Sequence, residues 1–286
     1  MKKRVLIPFA AIGLLAAMSA CGGKSVESAP KDGNTSEISE FTVKQVIKSA
    51  EQNYRVEMDG DTAYLDLYTT VQWPEEFGKA DLKTLQDSLV TFCYGDTTGM
   101  AINDAMHAFL NDTSMFADMP GGKHITAVDS IPNADGVRTY FTAVNAQVSE
   151  LTQDYATYQV TTSSYLGGAH PYTATRPFTY DLQSAKVLAL DDILTPAGVD
   201  SIMPVIRTAL SRQLEVPENM LERAGIFTSQ LTKPGYPYIS GNVLYFHYNP
   251  YEIAPYSAGM IDIPVYPYEI ASFIKPEAKA LFDTEY

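Results

Sequence analysis

Cysteine is nearly absent from this chain: two in 286 residues, Cys21 and Cys93. Basic residues are also scarce, twenty Lys plus Arg against thirty-four Asp plus Glu. Histidine occurs four times, at His107, His124, His170 and His247, all far apart in sequence. Each shortage removes a class of function. Two cysteines cannot build a disulfide framework or a cysteine-rich zinc site. There is no HExxH stretch, no Walker loop and no GxSxG elbow, so the usual zincin, P-loop and hydrolase motifs are missing. SxxK is spelled twice, at Ser28–Lys31 and Ser272–Lys275, but the KTG and SDN elements of such acyl-enzymes are not there. A formal charge of −14 repels nucleic acid phosphates. No catalytic set, metal site or cofactor is expected, and the chain is not expected to be an enzyme.

What is present begins at the N-terminus. Met1-Lys2-Lys3-Arg4 is a cationic start, and Val5 to Ala17 is an apolar run. With Pro8 inside it, the run falls short of the about 20 residues a spanning helix needs. Met18-Ser19-Ala20-Cys21 then resembles a bacterial lipobox, with Met18 where a leucine is usual. Residues 1–20 are therefore expected to be a lipoprotein signal peptide, with Cys21 the lipidated residue; ordinary secretion with a free Cys21 is the alternative. Several acyl chains hold a protein to a membrane far more firmly than one. The localisation implied is the bacterial cell envelope, extracytoplasmic and lipid-anchored. Removing residues 1–20 removes three cations and takes the formal charge to −17. Residues 21–40, rich in Gly, Ser, Lys, Glu and Asn, suit a flexible tether. Cys93 then has no disulfide partner, and its place at the end of an apolar helical pattern suits a buried thiol.

The remaining chain alternates strand and helix signals. Tyr54, Val56 and Met58, a turn at Asp59-Gly60, then Ala63, Leu65, Leu67 and Val71 make a hairpin signature. Leu82, Leu85, Leu89 and Phe92 recur at helical spacing behind a possible Asp81 cap, and Ile102, Ala105, Met106, Phe109 and Leu110 repeat the pattern. "MPGGK" at 119–123 breaks the chain. Strands are expected at 137–151, 155–165, 177–182, 243–248 and 260–265. Asp191-Asp192 reads as a helix start, where acids favour the positive end of the dipole. The strongest helix is expected over 200–214, with Pro204 in its first turn, and a short helix over 268–273. The fold class expected is α+β: two small domains, each a mainly antiparallel sheet with helices on one face. Their boundaries are expected at 41–168 and 169–286.

Fourteen of nineteen tyrosines lie from Tyr155 onward. Tyrosine supplies rigid contact area with a polar tip, so the asymmetry suits an interface or a sugar-binding face. It also suits tyrosines that pack a small sheet with their hydroxyls reaching the rim.

Three blocks in the second half carry a family resemblance: Gly167-Gly168-Ala169-His170, the "YDL…LDDIL" segment at 180–194, and "YEIAPYSAG" at 251–259. They resemble the C-terminal domain shared by the lysozyme-sensing anti-sigma factor RsiV and the peptidoglycan deacetylase PdaC, a domain otherwise of unknown function. The first half is similar, by element order, to the domain that precedes it in those proteins. The anti-sigma factor has a cytosolic segment and membrane helix before this module, and the deacetylase has a separate catalytic domain; neither is expected here. The resemblance implies an envelope module that binds a wall-active protein, with lysozyme the relative's ligand. Peptidoglycan or glycan binding or processing is an alternative, with Glu252, Asp262 and His170 as its acid–base candidates. A structural lipoprotein without a ligand is another. His170, Tyr172, Tyr251, Glu252 and Tyr256 are the candidate binding residues. "YEIAPYSAG" is expected to be extended up to a turn at 257–259, at a sheet edge where Pro250 and Pro255 need donate no ladder bond.

Overall fold

The computed structural model describes residues 41–282, apart from 59, 96, 98, 115–123, 134 and 135. Cys21, the signal segment, the tether and the 119–123 break lie outside the described residues. The chain opens with a long hairpin, β1 (Val43–Met58) and β2 (Asp61–Phe77), that turns tightly beside Gly60 at φ +80°. Helices α1 (Lys83–Tyr94) and α2 (Ile102–Asn111) follow as the spacing predicts, and the Asp81 carboxylate accepts the Lys83 amide at 2.9 Å. A strand absent from the sequence reading, β3 (His124–Val128), pairs with the outer edge of β1. Then come β4 (Arg138–Leu151), β5 (Tyr155–Tyr165), β6 (Tyr172–Asp181) and the short β7 (Lys186–Val187).

These strands form one sheet in the order β3-β1-β2-β4-β5-β6-β7. All neighbours are antiparallel except β2 and β4, which α1 and α2 separate in the chain and which run parallel. Period-two alternation sorts the sheet's two faces. Ala156, Tyr158 and Val160 of β5 join Val144, Ala146, Phe178 and Tyr180 against Leu85, Leu89 and Cys93 of α1 and Met106 of α2. The opposite face of β5 and β6 carries a hydroxyl ladder: Thr157–Thr179, Thr161–Thr175 and Ser163–Thr173, each pair within about 3.0 Å.

The rest of the chain builds a second layer. After the single turn α3 (Leu190–Ile193) comes α4 (Pro196–Gln213), capped by the Thr195 hydroxyl, which accepts the Gly198 amide. Asp192 accepts the Ala189 amide at 2.9 Å, the dipole role expected of it. The expected place of Pro204 needs correction. The helix starts at Pro196, so Pro204 sits in its interior and deletes one bond to the preceding turn. The helix survives because Ile202, Ile206, Ala209 and Leu210 bury one face. The expected helix over 268–273 is instead one 3₁₀ turn at Pro267–Glu269, since Pro267 starts a turn that the Tyr266 amide closes onto Glu269.

Strands β8 (Tyr236–Ser240), β9 (Val243–Tyr248) and β10 (Ile261–Val265) make a small antiparallel sheet in the order β10-β9-β8. β8 escaped the sequence reading because "YPYIS" has a proline inside it and only five residues. Ile239, Leu244, Phe246, Ile263 and Val265 pack against α4, with Tyr155 of the large sheet in the same cluster. The architecture is therefore α+β with two sheets, each packed against helices. The line between residues 168 and 169 falls in the β5–β6 turn, and β6 and β7 beyond it complete the larger sheet.

The two sheets meet through side chains that mimic strand pairing. Strand β8 is an edge, and its Ile239 amide donates to Thr179 Oγ1 at 2.8 Å while Thr157 Oγ1 donates to the Ile239 carbonyl at 2.6 Å. Asn249 does the same for β6: it accepts the Thr175 amide at 2.6 Å and donates to the Thr175 carbonyl at 3.0 Å. Buried backbone groups must find partners, and these four contacts supply them where no ladder runs.

Candidate functional site

Two turns bring the candidate residues together. The β5–β6 turn passes through Gly167 and Gly168 at φ +100° and +106°, conformations that suit glycine. It delivers His170 to the surface. The β9–β10 connection folds on itself: the Glu252 amide donates to the Asn249 carbonyl, the Asn249 amide to the Glu252 carboxylate, and the Tyr251 amide to the Ala254 carbonyl. Ile253 and Ala254 point into the core, and the Phe227 amide holds the Ile253 carbonyl at 2.7 Å. This corrects the expected extended run. The prolines here start turns, and apolar Ile253 pulls the loop inward. The turn expected at 257–259 is present as a 3₁₀ turn, Tyr256–Ala258, that ends at Gly259.

His170 and Tyr256 stack face to face, ring centroids 3.7 Å apart. Tyr251 stands 5.8 Å from Tyr256, and its hydroxyl lies 3.4 Å from His170 Nε2. His170 Nδ1 and the Tyr256 hydroxyl both donate to the Pro171 carbonyl, at 2.9 and 2.8 Å. These bonds fix the rings while Tyr251 stays 50% exposed. Tyr251 has φ +71°, a left-handed conformation uncommon for an aromatic residue. Tyr172 opens β6 two residues beyond His170, exposed and outside this stack. The exposed Glu252 spends one carboxylate oxygen on the Asn249 amide. The motifs thus meet, but at two loop tips and not along a sheet edge.

The acid–base candidates divide differently. Asp262 Oδ1 accepts the Tyr238 hydroxyl at 3.0 Å and faces His247 Nδ1 at 2.8 Å. His247 Nε2 faces Asn249 Oδ1 at 3.3 Å, and the His247 side chain is only 4% exposed. The histidine that meets a carboxylate is therefore His247, not His170. Its pairing follows from register, since His247 on β9 lies opposite Asp262 on β10. Strand alternation alone could not have supplied that register. Burial first, then the Asp262 charge, raises the Tyr238 hydroxyl's pKa above its ordinary value.

Beside Tyr251 opens a cleft of about 360 Å³ lined by Gln230, Lys233, Tyr236, Tyr248, Tyr251 and Glu252, among others. Two further grooves, near Phe41 and Gly78 and near Ile47 and Asn103, contain none of the candidate residues. Among the described residues, no group of three or more His, Cys, Asp or Glu side chains is placed to hold a metal. Cys93 is buried, and burial pushes its thiol up to about 12. Tyr155, Tyr158 and Tyr180 are core residues, while Tyr172, Tyr236, Tyr251, Tyr266 and Tyr268 are exposed. Among the described residues, no helix is long and apolar enough to cross a membrane.

Residues 191–269 match the family described as "Protein of unknown function (DUF3298)". That span holds α4, the small sheet, Tyr251, Glu252 and Tyr256, and leaves out His170 and Tyr172. No curated protein matches the chain. A crystal structure of a DUF3298 family member from Bacteroides fragilis superposes with a TM-score of 0.65 at 19% identity, covering 85% of this chain and 99% of that one. A DUF3298 family protein from Pseudomonas aeruginosa gives 0.54 at 16% identity, covering 83% and 96%. Residues 191–269 are thus similar to the DUF3298 family, and the chain shares its fold with these two solved structures of that family.

Proposed function

We propose that this chain is a lipid-anchored module of the bacterial cell envelope that binds a cationic wall-active protein. The surface it uses is the pair of loop tips carrying His170, Tyr251, Glu252 and Tyr256, with Tyr172 at their margin. The observation that carries the reading is convergence. Residues 81 to 86 positions apart form one exposed aromatic cluster, its rings held by hydrogen bonds to a shared carbonyl. Rigid, amphipathic tyrosines supply contact area at little entropic cost. The chain's −14 charge supports a cationic partner through its long-range field, which speeds encounter. The resemblance to the lysozyme-sensing anti-sigma factor supports lysozyme as the first partner to try. Cys21 lipidation supports the envelope location, and the lipobox-like residues before it are its basis.

Titration of the purified protein with a basic lysozyme, at low salt and at about 0.15 M, tests the partner. At the higher salt the Debye length is about 8 Å, so a non-specific attraction fades while a packed contact persists. Binding should survive and should weaken in Tyr251→Ala and Tyr256→Ala. Loss of binding at 0.15 M, or unchanged binding by both variants, rules out this surface. Fatty-acid-analogue labelling of cells carrying the wild type or Cys21→Ala tests the anchor; equal label on both would overturn it.

A further inference from the structure

We propose that the cleft beside Tyr251 is a binding site for a short neutral glycan. It is distinct in ligand and in most of its residues from the protein-binding loop tips, with which it shares Tyr251 and Glu252. Its volume, about 360 Å³, lies at the small end of ligand clefts, which run about 300–1,000 Å³. A sugar ring presents an apolar C–H face and a rim of hydroxyls that donate and accept at once. The cleft offers what both parts need. Tyr236 and Tyr251 are exposed rings at its wall. The Lys233 ammonium is a donor with no acidic partner among the described residues. Glu252 keeps one carboxylate oxygen beyond the one that takes the Asn249 amide. With its amide nitrogen turned toward them, Gln230 donates to the carbonyls of Glu252 and Tyr251 at 2.8 and 3.2 Å, which leaves its oxygen as an acceptor.

Other ligand classes fit worse. A cationic side chain would meet the Lys233 ammonium at the cleft wall. An anion would meet Glu252 and the negative charge of the whole chain. A purely apolar ligand would strip water from Lys233, Glu252 and Gln230 without replacing it, which is costly. A neutral polyhydroxylated ligand satisfies all of them.

The walls are already set, which lowers the ordering cost of binding. The Tyr248 hydroxyl donates to the Lys233 carbonyl at 2.9 Å. The Tyr236 ring itself stands 5.6 Å from the Arg176 guanidinium. Gly235 lets the cleft backbone lie directly on β9, because a Cβ there would come within 2.2 Å of the His247 carbonyl oxygen.

The test is calorimetric titration of the purified protein with cellobiose and, separately, N,N′-diacetylchitobiose, each up to about 10 mM, since an unoptimised small ligand binds weakly. Binding of either disaccharide is expected, and the pair tells whether ring and hydroxyls suffice or acetamido groups are also read. Tyr236→Ala, with its fold checked by circular dichroism, should weaken binding about tenfold, equal to about 1.4 kcal/mol. Lys233→Ala, at an exposed position, should weaken it by a smaller factor. Failure of both sugars to bind, or unchanged affinity in both Tyr236→Ala and Lys233→Ala, overturns the proposal. So does preferential uptake of N-acetyl-argininamide in place of sugar. Tyr236 and Lys233 lie outside the loop tips, so their variants report on the cleft alone, and loss of lysozyme binding and loss of sugar binding are told apart.

Discussion

Replacing Thr157 by Val cuts the junction between the two sheets at one atom. Thr157 and Thr179 are almost fully buried, and proton bookkeeping fixes the direction of every bond. The Ile239 amide can only donate, so Thr179 Oγ1 accepts it. The Ile239 carbonyl can only accept, so the single Thr157 proton goes there. The bond between the two hydroxyls, 2.9 Å, must then run from Thr179 to Thr157. Thr157→Val keeps the shape, orphans the Ile239 carbonyl and leaves the Thr179 hydroxyl without its acceptor. A buried unsatisfied group costs about 1–3 kcal/mol, so a loss of about 2 kcal/mol is expected. Thr179→Val orphans the Ile239 amide and should cost a similar amount. Each single change already breaks the hydroxyl–hydroxyl bond, so the double variant should fall short of additivity by about 1 kcal/mol. Urea unfolding followed by Trp73 fluorescence and circular dichroism reads this out. With a slope of about 2–3 kcal/mol per molar, Thr157→Val should lower the midpoint by about 0.7–1 M. Thr157→Ser, which keeps the hydroxyl and loses a methyl, should cost about half as much. A Thr157→Val midpoint within about 0.2 M of wild type, or strict additivity of the two valines, would refute the network.

Gly235→Ala places a Cβ 2.2 Å from the His247 carbonyl oxygen, so β8 and β9 must separate; a loss of several kcal/mol or failure to fold is expected, measured by thermal melting. Asp66 has its acidity weakened by burial first and by the Glu51 charge second, and one of its oxygens lacks a partner. Its folded pKa lies above the unfolded one, so its contribution to stability falls as pH rises through that interval and stays unfavourable above it. Asp66→Asn should therefore be more stable than wild type at neutral pH and lose that advantage below the ordinary carboxylate range; a less stable variant at pH 7 in denaturant titration would contradict this. Cys93, with its thiol pushed up to about 12 by burial, should resist iodoacetamide in the native protein at pH 8 and react once unfolded, as mass spectrometry would show. Alkylation of the native protein at the unfolded rate would argue against a buried thiol.

The sequence by itself determined the local elements. Period 2 over Ala63, Leu65 and Leu67, period 3.6 over Leu85, Leu89 and Cys93, and the Gly60 turn are local regularities, and local regularities survive in one dimension. The same is true of the first helical turn around Asp192 and of the two motifs that carry the candidate residues. Where the signal was weak, the sequence failed: β8 is five residues with a proline, and Pro204 looked like a helix start because the true start, Thr195-Pro196, carries no apolar period. Only the tertiary structure decided what meets what. The parallel pairing of β2 with β4, the hydroxyl bridge from Thr157 and Thr179 to Ile239, and the grip of Asn249 on Thr175 join residues with no periodic relation in the chain. So do the stack of His170 on Tyr256 and the choice of His247 as Asp262's partner. Those contacts depend on strand register and loop path, which are set by the burial of Ile253, Phe246 and Tyr155 in a shared core. That burial is a property of the assembled layers, and no single segment encodes it.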